Sequence, residues 1–277
     1  MVLCPILLDI FTRESIVVPF MGETNSNGRI GAVETVFDVV DVLEGSESVG
    51  VSDVADQLDM PKSTAHVYLK SLESEGYAIN DDGTYRLSLR FLKHGGKARN
   101  RLKLYRSAKN HVDKLANDTG EVGNLGVEER GRRVLVYKSE VPDAIYDNTP
   151  TGEHTNMHWT ALGKAILAHL PPERVDEIID RHGLPARTPA TITDPDTLKS
   201  ELETVREKGY SVEREERRDG VVAIAVPIQD KSDDGTVHSV SISGPKKRIT
   251  GENGIKTDLV DAVKQTANVI ELQYNHY

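Results

Sequence analysis

Between Val51 and Leu89 the pattern of apolar and polar positions changes its period. Val51, Val54, Ala55 and Leu58 fall at i, i+3, i+4 and i+7, the apolar face of a short helix. Ser52 suits its N-cap, and Asp53 suits the positive end of its dipole. Asp59-Met60 reads as a tight break. Pro61 reads as the first residue of a second helix, where its missing N–H does no harm. There Ala65, Tyr68, Leu69 and Leu72 form the buried stripe, and Gly76 is the stop signal. After Gly76 the period falls to two. Tyr77–Asn80 and Thr84–Leu89 read as strands, joined by the hairpin signal Asp82-Gly83. Helix, turn, helix and hairpin compose a winged helix-turn-helix.

The outer face of the second helix carries Ser63, His66, Val67, Lys70 and Ser74. Short side chains, hydrogen-bond donors and positive charge suit a duplex groove. Lys62, Ser63, Thr64, His66 and Lys70 are expected to face double-stranded DNA, with Arg86 and Arg90 near phosphates. The plainer reading is a small packed subdomain that binds protein or nothing.

Outside this stretch, Ile30–Leu43 reads as a helix with the stripe Val33, Val36, Phe37, Val40 and Leu43. Phe91–Leu115 is helical by pattern, with a break expected near Gly95-Gly96. The rest alternates short strands and helices. Val122–Val127, Arg133–Lys138, Tyr210–Arg214, Val221–Gln229 and Thr236–Ser243 read as strands. Trp159–His169, Arg174–Arg181, Thr197–Lys208 and Gly254–Tyr274 read as helices. This order predicts an α+β chain whose second half is an antiparallel sheet with flanking helices. The expected division is 1–28 as a disordered or over-extended N-terminus, 29–92 as the winged domain, 93–110 as a linker helix and 111–277 as the second domain.

Charge complicates the nucleic-acid reading. The chain carries 34 basic and 44 acidic residues, a net charge of −10, whereas DNA binders tend to be basic. Locally the balance reverses: nine basic residues and no acidic ones lie between Arg86 and Lys109. That run suits a phosphate-facing patch, or simply a solvated helix face. The one cysteine, Cys4, excludes an intrachain disulfide and a thiolate metal cage, in keeping with a reducing cytoplasm. Residues 1–20 are apolar but broken by Asp9, Arg13 and Glu14, which reads as neither signal peptide nor membrane span; Met1 and Met21 are alternative starts of translation. No glycine-rich phosphate loop appears, the nine histidines show no metal-ligand spacing, and no nucleophile–base set is assembled. No cofactor and no metal are expected.

Two stretches could hold a ligand. His158-Trp-Thr-Ala-Leu-Gly-Lys-Ala165 opens a helix whose free N–H groups favour an anion, with His158 as a candidate cap and Gly163 as a packing glycine. On Val240–Gly244, Ser241 and Ser243 point to one face, toward a polar ligand or toward solvent.

In these motifs the chain resembles the IclR-type transcriptional regulators over about Ile30 to Tyr274. The matching stretches are PKSTAHVYLKSLESEGY, HWTALGKAILAHLP, RTPATIT, REKGYSVEREERRDGVVAIAVPI and SVSISGP. The resemblance implies a DNA-binding winged helix-turn-helix, a linker helix and a GAF/PAS-like effector domain. It also implies a homodimer or dimer of dimers on a two-fold symmetric operator, and a small organic acid as effector. By the same resemblance the acid is held by backbone amides near Ala161 and Leu162, by Glu213, by a residue at Ala223, and by Ser241 and Ser243. Three departures stand out: Ala223 replaces a common cysteine, Val67 a common arginine, and Thr155-Asn-Met157 an apolar stretch. Two other functions stay open: an enzyme acting on a small acid in the second domain, and a winged-helix protein-interaction module with a degenerate sensor.

Overall fold

The computed structural model describes residues 30–142, 149–230, 236–252 and 254–276. The expectations for Met21 and for residues 1–28 lie outside them. The chain forms two compact units, one reaching to His94 and the other beginning at Gly95.

The first unit contains α1 (Gly31–Glu44), β1 (Val49–Gly50), α2 (Val51–Gln57), α3 (Lys62–Ser74), β2 (Ala78–Asp81) and β3 (Thr84–Leu87). Its sheet has the order β1-β3-β2, and both pairings are antiparallel. Leu43, Val54, Leu69, Leu72 and Tyr85 lie at the centre of its core. The stripe expected on α1 is rotated. Val39 and Leu43 are buried, whereas Val33 and Phe37 are exposed. Val36, Val39, Val40 and Leu43 supply the inward i, i+3, i+4, i+7 set instead.

Both helix starts differ by one or two residues from expectation. Gly50, not Ser52, is the N-cap of α2, and its N–H donates to the Asp53 carboxylate at 2.8 Å. Pro61 is the N-cap of α3 rather than its first residue, and its carbonyl accepts from Thr64 and Ala65. Gly76 ends α3 at φ +74, with the Tyr77 amide returning to the Leu72 carbonyl. The wing turns at Asp82 and Gly83, both at positive φ, as a tight hairpin requires.

A helix α4 (Arg90–Arg101) runs unbroken through Gly95-Gly96, against the expected break there. Two glycines weaken a helix by about 1 kcal/mol each relative to alanine but do not stop it. The interruption falls at Leu102, whose ψ of 114 is extended, and α5 (Lys103–Thr119) begins after it. Leu104, Ala108, Val112 and Leu115 of α5 enter the second unit's core, so the boundary expected at 110/111 falls inside a packed helix.

The second unit continues with β4 (Val122–Glu129), β5 (Arg132–Ser139), β6 (His154–Asn156), α6 (Ala161–Leu167), α7 (Pro172–His182), α8 (Pro195–Lys208), β7 (Ser211–Arg214), β8 (Val221–Gln229) and β9 (Val237–Pro245). It closes with α9 (Lys246–Ile249), β10 (Thr250–Gly251), β11 (Gly254–Ile255) and α10 (Thr257–His276). Its main sheet is antiparallel, in the order β6-β5-β4-β9-β8-β7. Strand β8 is apolar from Val221 to Ile228 because both of its faces are covered. Val222, Ile224, Val226 and Ile228 pack with α5 and α10, while Ala223 and Ala225 pack with Ala161, Leu162 and Ala165 of α6. The small residues on the α6 side bring that helix close to the sheet. So does Gly126, at a register shift in β4, where a Cβ would stand 3.0 Å from Leu162 Cδ1.

Candidate functional site

In the first unit, Lys62, Ser63, His66, Val67, Lys70 and Ser74 are exposed on α3, and Thr64 is half-buried. This face stands opposite Ala65, Leu69 and Leu72, which anchor the helix in its core. The Lys70 ammonium meets the Glu73 carboxylate at 2.9 Å. Arg86, on the wing, meets Asp81 at 3.1 Å. Exposed pairs of this kind contribute little to stability, so both cations remain available to phosphate. Arg90 has a structural task as well. Its guanidinium donates to the Glu75 carbonyl at the end of α3 and lies 4.8 Å from the Tyr77 ring centre.

In the second unit, the sheet and the start of α6 line a small cavity with an open mouth. All six residues singled out for a ligand line it: Ala161, Leu162, Glu213, Ala223, Ser241 and Ser243. Strand register explains the convergence. Glu213, Ala223 and Ser243 are cross-strand neighbours in one row, and Ala225, Ser241 and Asn124 in the next. Thr160, not His158, caps α6, accepting from the Gly163 amide at 2.9 Å. His158 instead bonds the Pro185 carbonyl at 3.1 Å, and burial lowers its pKa, keeping it neutral. Gly163 is a packing glycine, but it packs against the Met157 backbone rather than a strand.

Two cationic lining residues escaped the sequence reading, Arg133 and Arg217. Arg133, on β5, is only 3% exposed and donates to Glu153 at 3.3 Å. Arg217 follows β7; its amide donates to the Glu213 carboxylate at 3.2 Å and its guanidinium to Thr149 at 2.8 Å. Asn124, whose side chain donates to the Ser243 hydroxyl at 3.1 Å, and Thr160 complete the polar lining. Alternating inward positions on β5, Arg133 and Leu135, were the available signal. Arg217 sits in a charged run, Glu215-Glu-Arg-Arg-Asp219, that reads as a solvated turn.

Burial raises the Glu213 pKa to about 7, aided by the charge of Glu216 and opposed by the Arg217 amide. Its folded value thus exceeds its ordinary value of 4.5. The stability contributed by its protonation is complete below the ordinary value and is lost as pH rises through about 7. Glu213→Gln should flatten the fall in unfolding free energy that the wild type shows between pH 5 and pH 8 (about those limits). Denaturant titrations across that range would measure it; an unchanged slope would place the titration elsewhere.

Beneath α6, Lys164 is fully buried, 2.6 Å from Glu216 and 3.5 Å from Glu201. Among the described residues there is no group of three His, Cys, Asp or Glu placed to hold a metal ion, and no helix is long and apolar enough to cross a membrane.

These two sites are the parts of a one-chain regulator: a helix-turn-helix reader and a polar-lined cavity in a separate unit. Residues 32–82 match the IclR helix-turn-helix domain, and residues 96–272 match the C-terminal domain of the bacterial transcriptional regulator IclR. The chain belongs to the IclR family of DNA-binding transcriptional regulators, with a C-terminal effector-binding domain. It is 30% identical over 258 residues to a probable HTH-type transcriptional regulator ArcR of Halobacterium salinarum, spanning 91% of this chain and 97% of that one. The crystal structure of Thermotoga maritima IclR superposes with a TM-score of 0.74 at 29% identity, covering 90% of this chain and all of that one. An IclR homologue from Microbacterium hydrocarbonoxydans, solved with 4-hydroxybenzoate, shares the fold with a TM-score of 0.75 at 22% identity, covering 89% of this chain and 100% of that one.

Proposed function

We propose that the cavity senses a small organic acid and that its occupancy controls how a homodimer, or a dimer of dimers, holds a two-fold symmetric operator in the cytoplasm. The observation that carries the effector reading is the lining itself. Two arginines, two serines and the first residues of α6 line the cavity, and among the described residues its lining has one carboxyl, Glu213. That set attracts a carboxylate. The Microbacterium relative, alike in fold, was solved with an acid. Glu213 lies on β7, at the far end of the strand order from Arg133 on β5, and serves a ligand hydroxyl or a water. Ala223 leaves room for an apolar body where the resemblance places a cysteine, so the smallest keto acids should not bind best.

Calorimetry and thermal shift with a panel of organic acids test this. An acid that binds the wild type should lose at least about tenfold in affinity in the Ser241→Ala/Ser243→Ala double mutant, two hydrogen bonds to a charged group being at stake. Equal affinity would place the pocket elsewhere. An anion should also bind more tightly as pH falls and Glu213 takes up its proton. In this reading the cavity binds its acid without transforming it. Product formation from a bound acid would overturn that statement.

For the DNA-facing set we assign Lys62, Ser63, Thr64, His66 and Lys70 to the duplex groove and Arg86 to phosphate, with Arg90 chiefly holding the end of α3. Loss of specific binding in Lys70→Ala, with a salt slope flatter by about one unit, is expected. The dimer reading rests on an apolar face that the first unit leaves uncovered. Phe37 is 59% exposed, with Val33 one turn away on α1, and Leu89 and Leu92 are also exposed. A second copy would cover such a face. Phe37→Asp should shift the mass measured by light scattering from dimer to monomer; an unchanged mass would move the interface off α1.

A further inference from the structure

We propose that Val67 reads the C5-methyl group of a thymine in the major groove, an inference that rests on α3 being the helix that enters the groove. The residue is 61% exposed, the one large apolar side chain so exposed on α3. At about 100° per residue it stands almost diametrically opposite Ala65, Leu69 and Leu72, the buried stripe. It therefore points where the helix presents itself to a groove.

Its surroundings leave its methyl groups open. Ser63 and Ser71, one turn to either side, are too short to cover it. The Ser71 hydroxyl turns inward to donate to the Val67 carbonyl at 2.8 Å. The Lys70 ammonium is drawn toward Glu73. Helix stability does not explain a valine here, since a β-branched residue is a weaker helix former than alanine. Nor does burial within the unit explain it. The neighbouring groups, Lys62, Ser63, His66 and Lys70, supply the donors and charge that a duplex requires. Val67 can neither donate nor accept a hydrogen bond from its side chain. The thymine methyl is the one apolar group that base edges offer in the major groove, and it is the feature such a side chain can distinguish.

The test uses the full-length protein and a duplex selected by it from a random library. Each thymine of the selected half-site is replaced singly by uracil, which removes the methyl group and leaves base pairing intact. One position per half-site should show a loss of about fourfold in affinity, the equivalent of one methyl group buried. In Val67→Ala, thymine and uracil at that position should bind alike, while the melting temperature stays at the wild-type value. Should Val67→Ala bind too weakly to compare, Val67→Ile must restore the uracil penalty. A half-site with no uracil-sensitive thymine overturns the proposal, as does a penalty that persists in Val67→Ala or is absent in Val67→Ile. His66→Ala and Lys70→Ala separate this from failure of the underlying reading. If both bind the selected duplex as the wild type does, α3 is not the reader at all.

Discussion

Replacing Lys164 with methionine should destabilise the second unit by about 3–5 kcal/mol, the usual result of leaving one member of a buried ion pair behind. Lys164 has no exposed surface, and Glu216, at 2.6 Å, is itself buried. One Glu216 oxygen accepts from the ammonium and from the Arg214 amide; the other has no hydrogen-bond partner among the described residues. Without the lysine that buried carboxylate is left uncompensated beside Glu213. The loss should be larger above about pH 7, where Glu213 is ionised as well. Lys164→Met/Glu216→Gln should recover most of it, because the uncompensated charge is gone. Trp159, the single tryptophan and two residues from the start of α6, reports the transition by fluorescence in denaturant. A single mutant within about 1 kcal/mol of the wild type would show that water reaches the pair.

Gly163→Ala should also be strongly damaging, and in the direction opposite to helix propensity. Alanine in a helix ordinarily stabilises by about 1 kcal/mol relative to glycine. Here its Cβ would lie 2.2 Å from the Met157 carbonyl oxygen and 2.5 Å from the Met157 Cα. Both are backbone atoms of a buried residue, so neither can swing aside. The strain should exceed the usual range of about 1–3 kcal/mol for overpacking. Relief requires α6 to move, and α6 is tied down: the hydroxyls of Ser211 and Ser239 donate to the carbonyls of Ala161 and Leu162, at 2.6 and 3.0 Å. The start of α6 forms one wall of the cavity, so any acid that binds should bind poorly in this variant. A melting temperature at or above the wild-type value would show that the backbone yields easily. Gly126→Ala is the milder comparison, because its Cβ would meet the flexible Leu162 side chain at 3.0 Å.

What could be read from the chain follows from what leaves a period. The winged unit was legible because its helices and hairpin alternate periods over enough residues and its turn residues are specific ones. Ser241 and Ser243 were legible as a pair because alternation on a strand fixes their shared face. Strands β1, β6 and helix α9 span only two to four residues, too few for any period to register. Arg133 was missed for a different reason. A charged residue on a strand reads as outward, and only the covering of β5 by α6 makes its face an interior. On α1, eight apolar residues exceed what one core face holds, and sequence alone could not say which of them the core would take. The break after α4 was misplaced because glycine suggests an interruption more strongly than Leu102 does, although local dihedrals decided otherwise.

Gly95 and Gly96 have open space where a Cβ would stand, so nothing in the packing requires glycine at either position. Their effect is mechanical. A helix with side chains throughout resists bending along its whole length, whereas two adjacent glycines concentrate the compliance in less than one turn. They lie where the two compact units divide. Along α4 the glycine pair is thus the place where the helix bends at least cost.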